Sequence, residues 1–226
     1  MLTLKHLNPS YLQTLKQAGL TDADKLLEWN QGERLVKKQA SSLFRCAVKD
    51  IGYVYLKIYL PDHKKAVHFL RTSYALREYR NSMIMASLGI EQPESLMVGV
   101  VRDRLFRVKC GVYITREVEG AVSLDKILRQ KHAFRLYSLE VIVDAVIRTL
   151  QILHSNNYCH WDFKPRNILV AAGSQGARII PIDSRSLSKM YFFNRKAYMH
   201  RDYKYLLREP LLQPFLKSYD LFECSK

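Results

Sequence analysis

The segment His160-Trp161-Asp162-Phe163-Lys164-Pro165-Arg166-Asn167-Ile168-Leu169-Val170 constrains this chain more than any other. An aspartate and an asparagine stand five positions apart, and a short apolar run follows at once. A tight loop of that length can set a carboxylate beside a reacting hydroxyl and a neutral amide oxygen beside a hard cation. Asp162 and Asn167 are therefore the first candidates for chemistry, and Lys164 adds positive charge between them.

Composition narrows the partners. The 226 residues suffice for one generous core or two small lobes, and an apolar fraction of 48% is ordinary for a globular protein, so large-scale disorder is not expected. Thirty-six Lys and Arg against 21 Asp and Glu leave a net charge of +15, which draws anionic partners such as nucleotide, nucleic acid, anionic lipid or phosphorylated glycan. Cys46, Cys110, Cys159 and Cys224 are scattered without a C-x-x-C pair, a pattern of neither a disulfide framework nor a zinc site, and a reducing cytoplasm is expected. No apolar run approaches the roughly 20 residues that cross a bilayer, and Met1 to Ser10 lack the apolar core of a signal peptide. Any membrane contact is expected to be peripheral.

The pattern along the chain alternates between helical and strand periods. From Tyr11 to Trp29, Leu12, Leu15, Leu20, Leu26 and Leu27 are interrupted by Gly19 and Thr21-Asp22, a helix stop followed by a new N-cap, which predicts two short helices. Arg34 to Gln39, Leu43 to Val48 and Tyr53 to Leu60 then read as three antiparallel strands separated by Ala40-Ser41-Ser42 and Lys49-Asp50-Ile51-Gly52. In the third strand, Val54, Leu56 and Ile58 face one way, and Tyr53, Tyr55, Lys57 and Tyr59 the other. A helix from about Thr72 to Leu88 carries Glu78 and ends at Gly89, with Met83 and Met85 expected in the core. Strands near Leu96 to Val101 and Gly111 to Thr115 follow. After the Glu119-Gly120 connector come helices over Ser123 to Gln130 and Ser138 to Ser155. The second bears a buried stripe of Leu139, Ile142, Val143, Val146, Ile147, Leu150 and Leu153. Strands near Ile168 to Ala171 and Arg178 to Ile182 flank a hairpin, and the latter runs into Asp183.

The order of these parts matters more than any one of them. A lone strand lysine or helix glutamate is usually surface charge. Here a strand lysine, a glutamate on the next helix, an H-x-D-x-x-x-x-N loop and an aspartate after the following hairpin resemble, in that sequence, the protein-kinase fold. The resemblance implies an α+β, reduced two-lobe protein-kinase-like fold: residues 1–119 as an N-terminal extension and a lobe of five antiparallel strands plus a helix, and residues 120–226 as a truncated helical lobe. It also implies ATP and Mg2+ as cofactors. Lys57 would hold the α- and β-phosphates while Glu78 aims it, and Asn167 and Asp183 would ligate Mg2+. Asp162 would orient or deprotonate the acceptor hydroxyl, assisted by Lys164. Ser41 and Ser42 of the first hairpin, and Glu117 and Val118 before the connector, would contact the nucleotide. His160 is expected to be structural.

Within that fold the chain resembles the lipopolysaccharide kinase family, whose members phosphorylate heptose or 3-deoxy-octulosonic acid (Kdo) sugars of the inner core in Gram-negative bacteria. The likeness rests on Gly19-Leu20, Gly32-Glu33-Arg34, Tyr55-Leu56-Lys57, Arg77-Glu78-Tyr79 with Leu88-Gly89-Ile90, the H-W-D-F-K-P-R-N-I-L-V loop and Ile182-Asp183-Ser184-Arg185. It implies lipopolysaccharide or its core oligosaccharide as partner, at the cytoplasmic face of the inner membrane.

Departures from protein kinases bear on control and substrate. Ala40-Ser41-Ser42 stands in place of a G-x-G-x-x-G turn, and Tyr55 where a small alanine usually covers adenine. Trp161 replaces the arginine that answers a phosphorylated activation loop, and Asp183-Ser184-Arg185 replaces D-F-G, so control by loop phosphorylation is not expected. The stretch after Asp183 holds no A-P-E segment, and a peptide-docking helical subdomain is not expected. From Arg185 to Lys217 it interleaves Arg185, Lys189, Arg195, Lys196, Arg201, Lys204, Arg208 and Lys217 with Tyr191, Phe192, Phe193, Tyr198, Tyr203, Tyr205 and Phe215. That pattern reads either as a surface for anionic glycolipid or as a closing helix with a solvated charged face. Nucleic acid is not expected as a partner, since no binding module accompanies the basic residues. Two other readings of the whole remain open: a small atypical Ser/Thr protein kinase, and a nucleotide-binding pseudokinase scaffold.

Overall fold

Alternation decides the first part of the chain. Gly52–Tyr59 forms a strand whose Val54, Leu56 and Ile58 are buried while Tyr53 is exposed and Tyr55 and Lys57 are half-buried, as the period-two pattern predicts. The computed structural model that shows this describes residues 1–61, 73–130, 136–174 and 176–216. Thr72, Lys217 and Cys224, named above in a helix, a tail and the cysteine set, lie outside them.

The chain divides into two compact units, Met1–Arg80 with Pro93–Glu117, and Asn81–Gln92 with Val118 onward. The first holds strands β1 (Leu2–Leu7), β2 (Glu33–Lys38), β3 (Ser41–Val48), β4 (Gly52–Tyr59), β5 (Ser95–Arg102) and β6 (Val108–Arg116). They make one antiparallel sheet in the order β1-β5-β6-β4-β3-β2. This corrects the expected count of five: Leu2–Leu7 adds a sixth strand by pairing with β5, Leu2 opposite Val101 and Leu7 opposite Met97, with a bulge at Lys5. The hairpin between β2 and β3 also turns earlier than expected, at Gln39–Ala40, so Ser41 and Ser42 open β3 opposite Lys38 and Lys37. On the outer edge, β2 is largely exposed and charged, which discourages further strand addition.

Helices α1 (Leu12–Gln17) and α2 (Ala23–Leu27) are the two short helices the leucine pattern predicts, and Asp22 caps α2 by accepting from Asp24 N at 2.9 Å. Leu15, Leu20 and Leu26 are fully buried against the sheet residues Phe44, Val54 and Leu56. Helix α3 (Tyr74–Ser87) ends at Gly89, whose φ of +79° lets Ile90 N reach back to Met85 O at 3.0 Å. Its buried positions Ala75, Glu78, Ser82 and Met85 follow helical spacing; Met83 falls on the other face and is 50% exposed, contrary to the expected core placement.

The second unit is built on helix α5 (Leu139–Ser155), capped by Ser138, whose hydroxyl accepts from Val141 N at 3.3 Å. Ile142, Val143, Val146, Ile147, Leu150 and Leu153 are buried as the stripe predicts, and Leu139 packs at its margin. Each such side chain removed from water contributes roughly 1.5–3 kcal/mol before entropy is charged against it. Around α5 lie β7 (Val122–Ser123), α4 (Leu124–Arg129), β8 (Tyr158–Cys159), β9 (Ile168–Gly173), β10 (Gly176–Pro181), β11 (Ser188–Lys189), α6 (Arg195–Leu206) and α7 (Gln213–Leu216). β9 pairs with both β10 and β7, and β11 pairs with β8. Among the described residues no helix is long and apolar enough to cross a membrane.

Gly111 on β6 admits the start of α3: a Cβ there would overlap Ser73 Oγ and meet Ala75 Cβ at 3.1 Å. Gly111→Ala is therefore expected to cost about 1–3 kcal/mol in urea unfolding, because the turn that delivers Glu78 must shift. Unchanged stability would contradict the close approach.

Candidate active site

In the first unit Lys57 sits on β4 between Leu43 of β3 and Tyr113 of β6. Its ammonium ion-pairs with Glu78, which is 3% exposed, and the hydroxyl of Tyr59, two residues along the same strand face, donates to the other carboxylate oxygen. A carboxylate this deeply buried persists as a charge only when paired and hydrogen-bonded, so Glu78 and Lys57 fix one another. Tyr59 was not singled out in the sequence; its hydroxyl on the lysine-bearing face, two residues on, was the available signal.

A second cluster surrounds Glu117. Its carboxylate accepts from the Arg45 fork at 2.9 and 2.8 Å and from the Tyr55 hydroxyl at 2.9 Å, while the Arg45 guanidinium lies 3.5 Å from the Tyr53 ring centroid. The Arg45 hydrogen bonds hold the Glu117 carboxyl below the ordinary glutamate value against opposing burial. Burial first, then the Glu117 hydrogen bond, pushes the Tyr55 phenol up to about 12. The Glu117 N–H is also engaged, by Tyr53 O at 2.9 Å, and Val118 O accepts from Ala121 N at 3.2 Å. The Glu117 side chain is thus a strut within the sheet.

The loop of the second unit is more tightly determined. Phe163, Pro165 and Asn167 are buried while Asp162 and Lys164 are half-buried and Arg166 is exposed, so alternate residues anchor and present. Lys164 pairs with one Asp162 oxygen; Asn167 Nδ2 donates to the other at 3.0 Å and to the Asp162 carbonyl at 2.9 Å. That bonding aims the Asn167 carbonyl oxygen away from Asp162. Lys164 also lies 4.7 Å from the Tyr205 ring centroid. His160 is fully buried, edge-on to Phe163 at 5.5 Å, a structural placement.

Trp161 holds a left-handed conformation, φ +65°, which a bulky side chain adopts only at a cost of about 1–3 kcal/mol. Its indole N–H donates to Ser188 Oγ at 2.6 Å, Arg201 lies 4.1 Å over the ring, and Tyr198 meets it edge-on at 5.2 Å. Beneath it, the fully buried carboxylate of Asp202 accepts from His160 N at 2.9 Å, Trp161 N at 2.7 Å and His154 Nε2 at 3.1 Å. Asp202 escaped the sequence reading. The available signal was an acid at a core-facing position of an otherwise basic helix, in register with Met199, Tyr203 and Leu206.

Asp183 follows β10 and is itself left-handed, φ +58° and ψ +45°. Ile182 N donates to Asn167 O at 2.8 Å, and Pro181 pairs with Ile168, so Asn167 and Asp183 stand at the same end of the β9–β10 hairpin. Asn81 donates to Ser184 O at 2.7 Å and to Leu187 O at 3.3 Å, fixing the turn that follows. One neutral and one anionic oxygen donor suit Mg2+, which binds few protein ligands and completes its shell with phosphate and water. A cluster of three or more His, Cys, Asp or Glu ligands does not occur among the described residues.

Two outcomes are expected. Asp202→Ala leaves two amides and His154 without their acceptor and should cost about 3–5 kcal/mol in urea unfolding; folded Asp202→Asn should lose about 100-fold in kcat through a displaced loop. Wild-type turnover in Asp202→Asn would show that the loop does not depend on this carboxylate. For Glu117, a lowered pKa means its share of stability is complete above the ordinary 4.5 and lost as pH falls through the folded value. The Tm advantage over Glu117→Gln should therefore shrink below pH 4.5, and a constant difference across that range would contradict the pairing.

Residues 54–217 match the model of the lipopolysaccharide kinase (Kdo/WaaP) family, a span that includes Lys57, Glu78, Asp162, Lys164, Asn167 and Asp183. A solved structure described as WaaP in complex with acyl carrier protein is similar with a TM-score of 0.64 at 16% identity, over 98% of this chain and 90% of that one. At that identity the likeness shows a shared kinase-like fold. The family match carries the assignment: this chain belongs to the lipopolysaccharide kinase (Kdo/WaaP) family of phosphotransferases.

Proposed function

We propose that the chain transfers the γ-phosphate of ATP to a hydroxyl of Kdo or heptose in the lipopolysaccharide inner core. The observation that carries this is the Asp162 carboxylate, held at one oxygen by Lys164 and at the other by Asn167. A carboxylate so fixed can align a sugar hydroxyl and take its proton as the bond to phosphorus forms, the bond to the ADP oxygen breaking in line. Lys57, aimed by Glu78, would hold the α- and β-phosphates, and Lys164 would offset charge on the transferred group.

Asn167 and Asp183 would hold Mg2+, which when bound neutralises phosphate charge. Ser41 and Ser42 would contact the nucleotide through their hydroxyls, and Glu117 and Val118 through the backbone. In this reading residues 1–119 supply the lysine side of the nucleotide site, and residues 120–226 supply the Mg2+ ligands and the group that meets the acceptor hydroxyl. A place at the cytoplasmic face of the inner membrane fits the acceptor: Tyr191 and Phe193 are 71% and 93% exposed beside the basic residues of α6. The same segment yields part of its pattern to packing, since Tyr203 is buried and Tyr198 lies against Trp161.

The test is transfer of labelled γ-phosphate, with Mg2+, to purified rough lipopolysaccharide and to a mixed protein substrate. Wild-type protein should label the glycolipid, and Asp162→Asn and Asp183→Ala should lose on the order of 10²–10⁴-fold in kcat with unchanged Tm. Labelling of protein alone would select an atypical protein kinase. Nucleotide binding without transfer would select a scaffold.

A further inference from the structure

The turn between β5 and β6 exposes what a folding chain normally hides. Leu105 is 70% exposed and Phe106 69% exposed, at the tip of a hairpin whose flanks are Arg102, Arg104, Arg107 and Lys109. The tip is rigidly made. Asp103 Oδ1 accepts from Leu105 N and Arg107 N, each at 2.9 Å, and Asp103 N donates to Arg107 O at 3.0 Å. Phe106 N reaches Asp103 O at 3.1 Å, while Arg102 donates to Phe106 O at 2.7 Å.

Phe106 itself stands at φ +59°. That conformation favours Gly or Asn and penalises an aromatic, so folding alone would select against phenylalanine here, and so would solubility. Two apolar side chains held outward and ringed by cations match one chemistry: anionic headgroups above an acyl layer. A tip of this size is far too small for a stable protein interface of about 800 Å² per partner. Asp103 is the lone acid among the flanking cations, and its side chain is turned to Arg107 at 2.7 Å.

We propose that the β5–β6 hairpin is a membrane wedge: Leu105 and Phe106 enter the headgroup region of an anionic bilayer while Arg102, Arg104, Arg107 and Lys109 bind lipid phosphates. The purpose rests on the glycolipid reading, since such a wedge would hold the enzyme at the surface where its acceptor is embedded. The binding itself does not, and can be measured without nucleotide or glycan.

The test is partition of the full chain onto vesicles of phosphatidylglycerol and phosphatidylethanolamine, against vesicles of phosphatidylcholine. Wild type should prefer the anionic vesicles; Leu105→Ser combined with Phe106→Gly should lower that partition by on the order of tenfold or more, and Arg104→Gln by roughly fivefold. Because glycine relieves the left-handed strain, Phe106→Gly alone should keep or raise the Tm, so lost binding cannot be ascribed to misfolding. Phe106→Trp should gain fluorescence quenching by brominated acyl chains beyond that of wild type. Equal partition of wild type and the double variant, or no added quenching, overturns the wedge. Wild-type binding to heparin but not to vesicles overturns it too, in favour of a general polyanion surface.

Discussion

One carboxylate sets the geometry on which the chemistry of the second unit rests. Asp202 lies on α6, wholly out of water, and spends both oxygens on the amides of His160 and Trp161 with His154 as a third donor. Taking a carboxylate from water costs several kcal/mol, and only satisfied, charge-assisted hydrogen bonds repay it. The loop is thereby held at the residue before Asp162, in a left-handed turn that Trp161 would not adopt unaided. Ser188, Tyr198 and Arg201 lock the indole in place, so the strain is sustained by its surroundings. Asp162 follows such a turn and is then clamped by Lys164 and Asn167, which leaves few ways for its oxygens to point.

The first unit solves a similar problem with opposite partners. Glu78 is buried on a helix, and its two carboxylate oxygens are taken up by a lysine and a tyrosine from one strand face. Strand period and helix register both converge on that pair: residues 57 and 59 share a face, and Gly111 leaves room for the turn that begins α3. Arg45, Tyr55 and Glu117 form a parallel cluster in the same sheet, tying three strand segments together by charge-assisted bonds. The charge of Lys57 is thus positioned by bonds that are themselves buried and mutually dependent.

Local periodicity made much of this legible in the sequence. The α5 stripe, the β4 alternation, the cap at Asp22 and the glycine stop at Gly89 are properties of adjacent residues, and they read correctly. The H-x-D-x-x-x-x-N spacing fixed attention on Asp162 and Asn167 for the same reason. Features that depend on distant partners did not read. Leu2–Leu7 becomes a strand only because β5, more than ninety residues on, supplies its edge, and a bulge at Lys5 disturbs its alternation. Glu117 is engaged by an arginine on β3, and Asp202 by amides some forty residues upstream, neither of which leaves a local trace. Met83 was misplaced because apolar type was weighed without helical register.

Native-state amide hydrogen exchange at His160 and Trp161 tests most directly whether a single carboxylate holds the loop that carries Asp162. The account expects both amides to exchange only through global unfolding in the wild-type chain. In an Asp202→Asn chain it expects them to exchange by local opening while amides in β9 keep their protection. Fast exchange at 160 and 161 in wild type, or unchanged exchange in the variant, would contradict it.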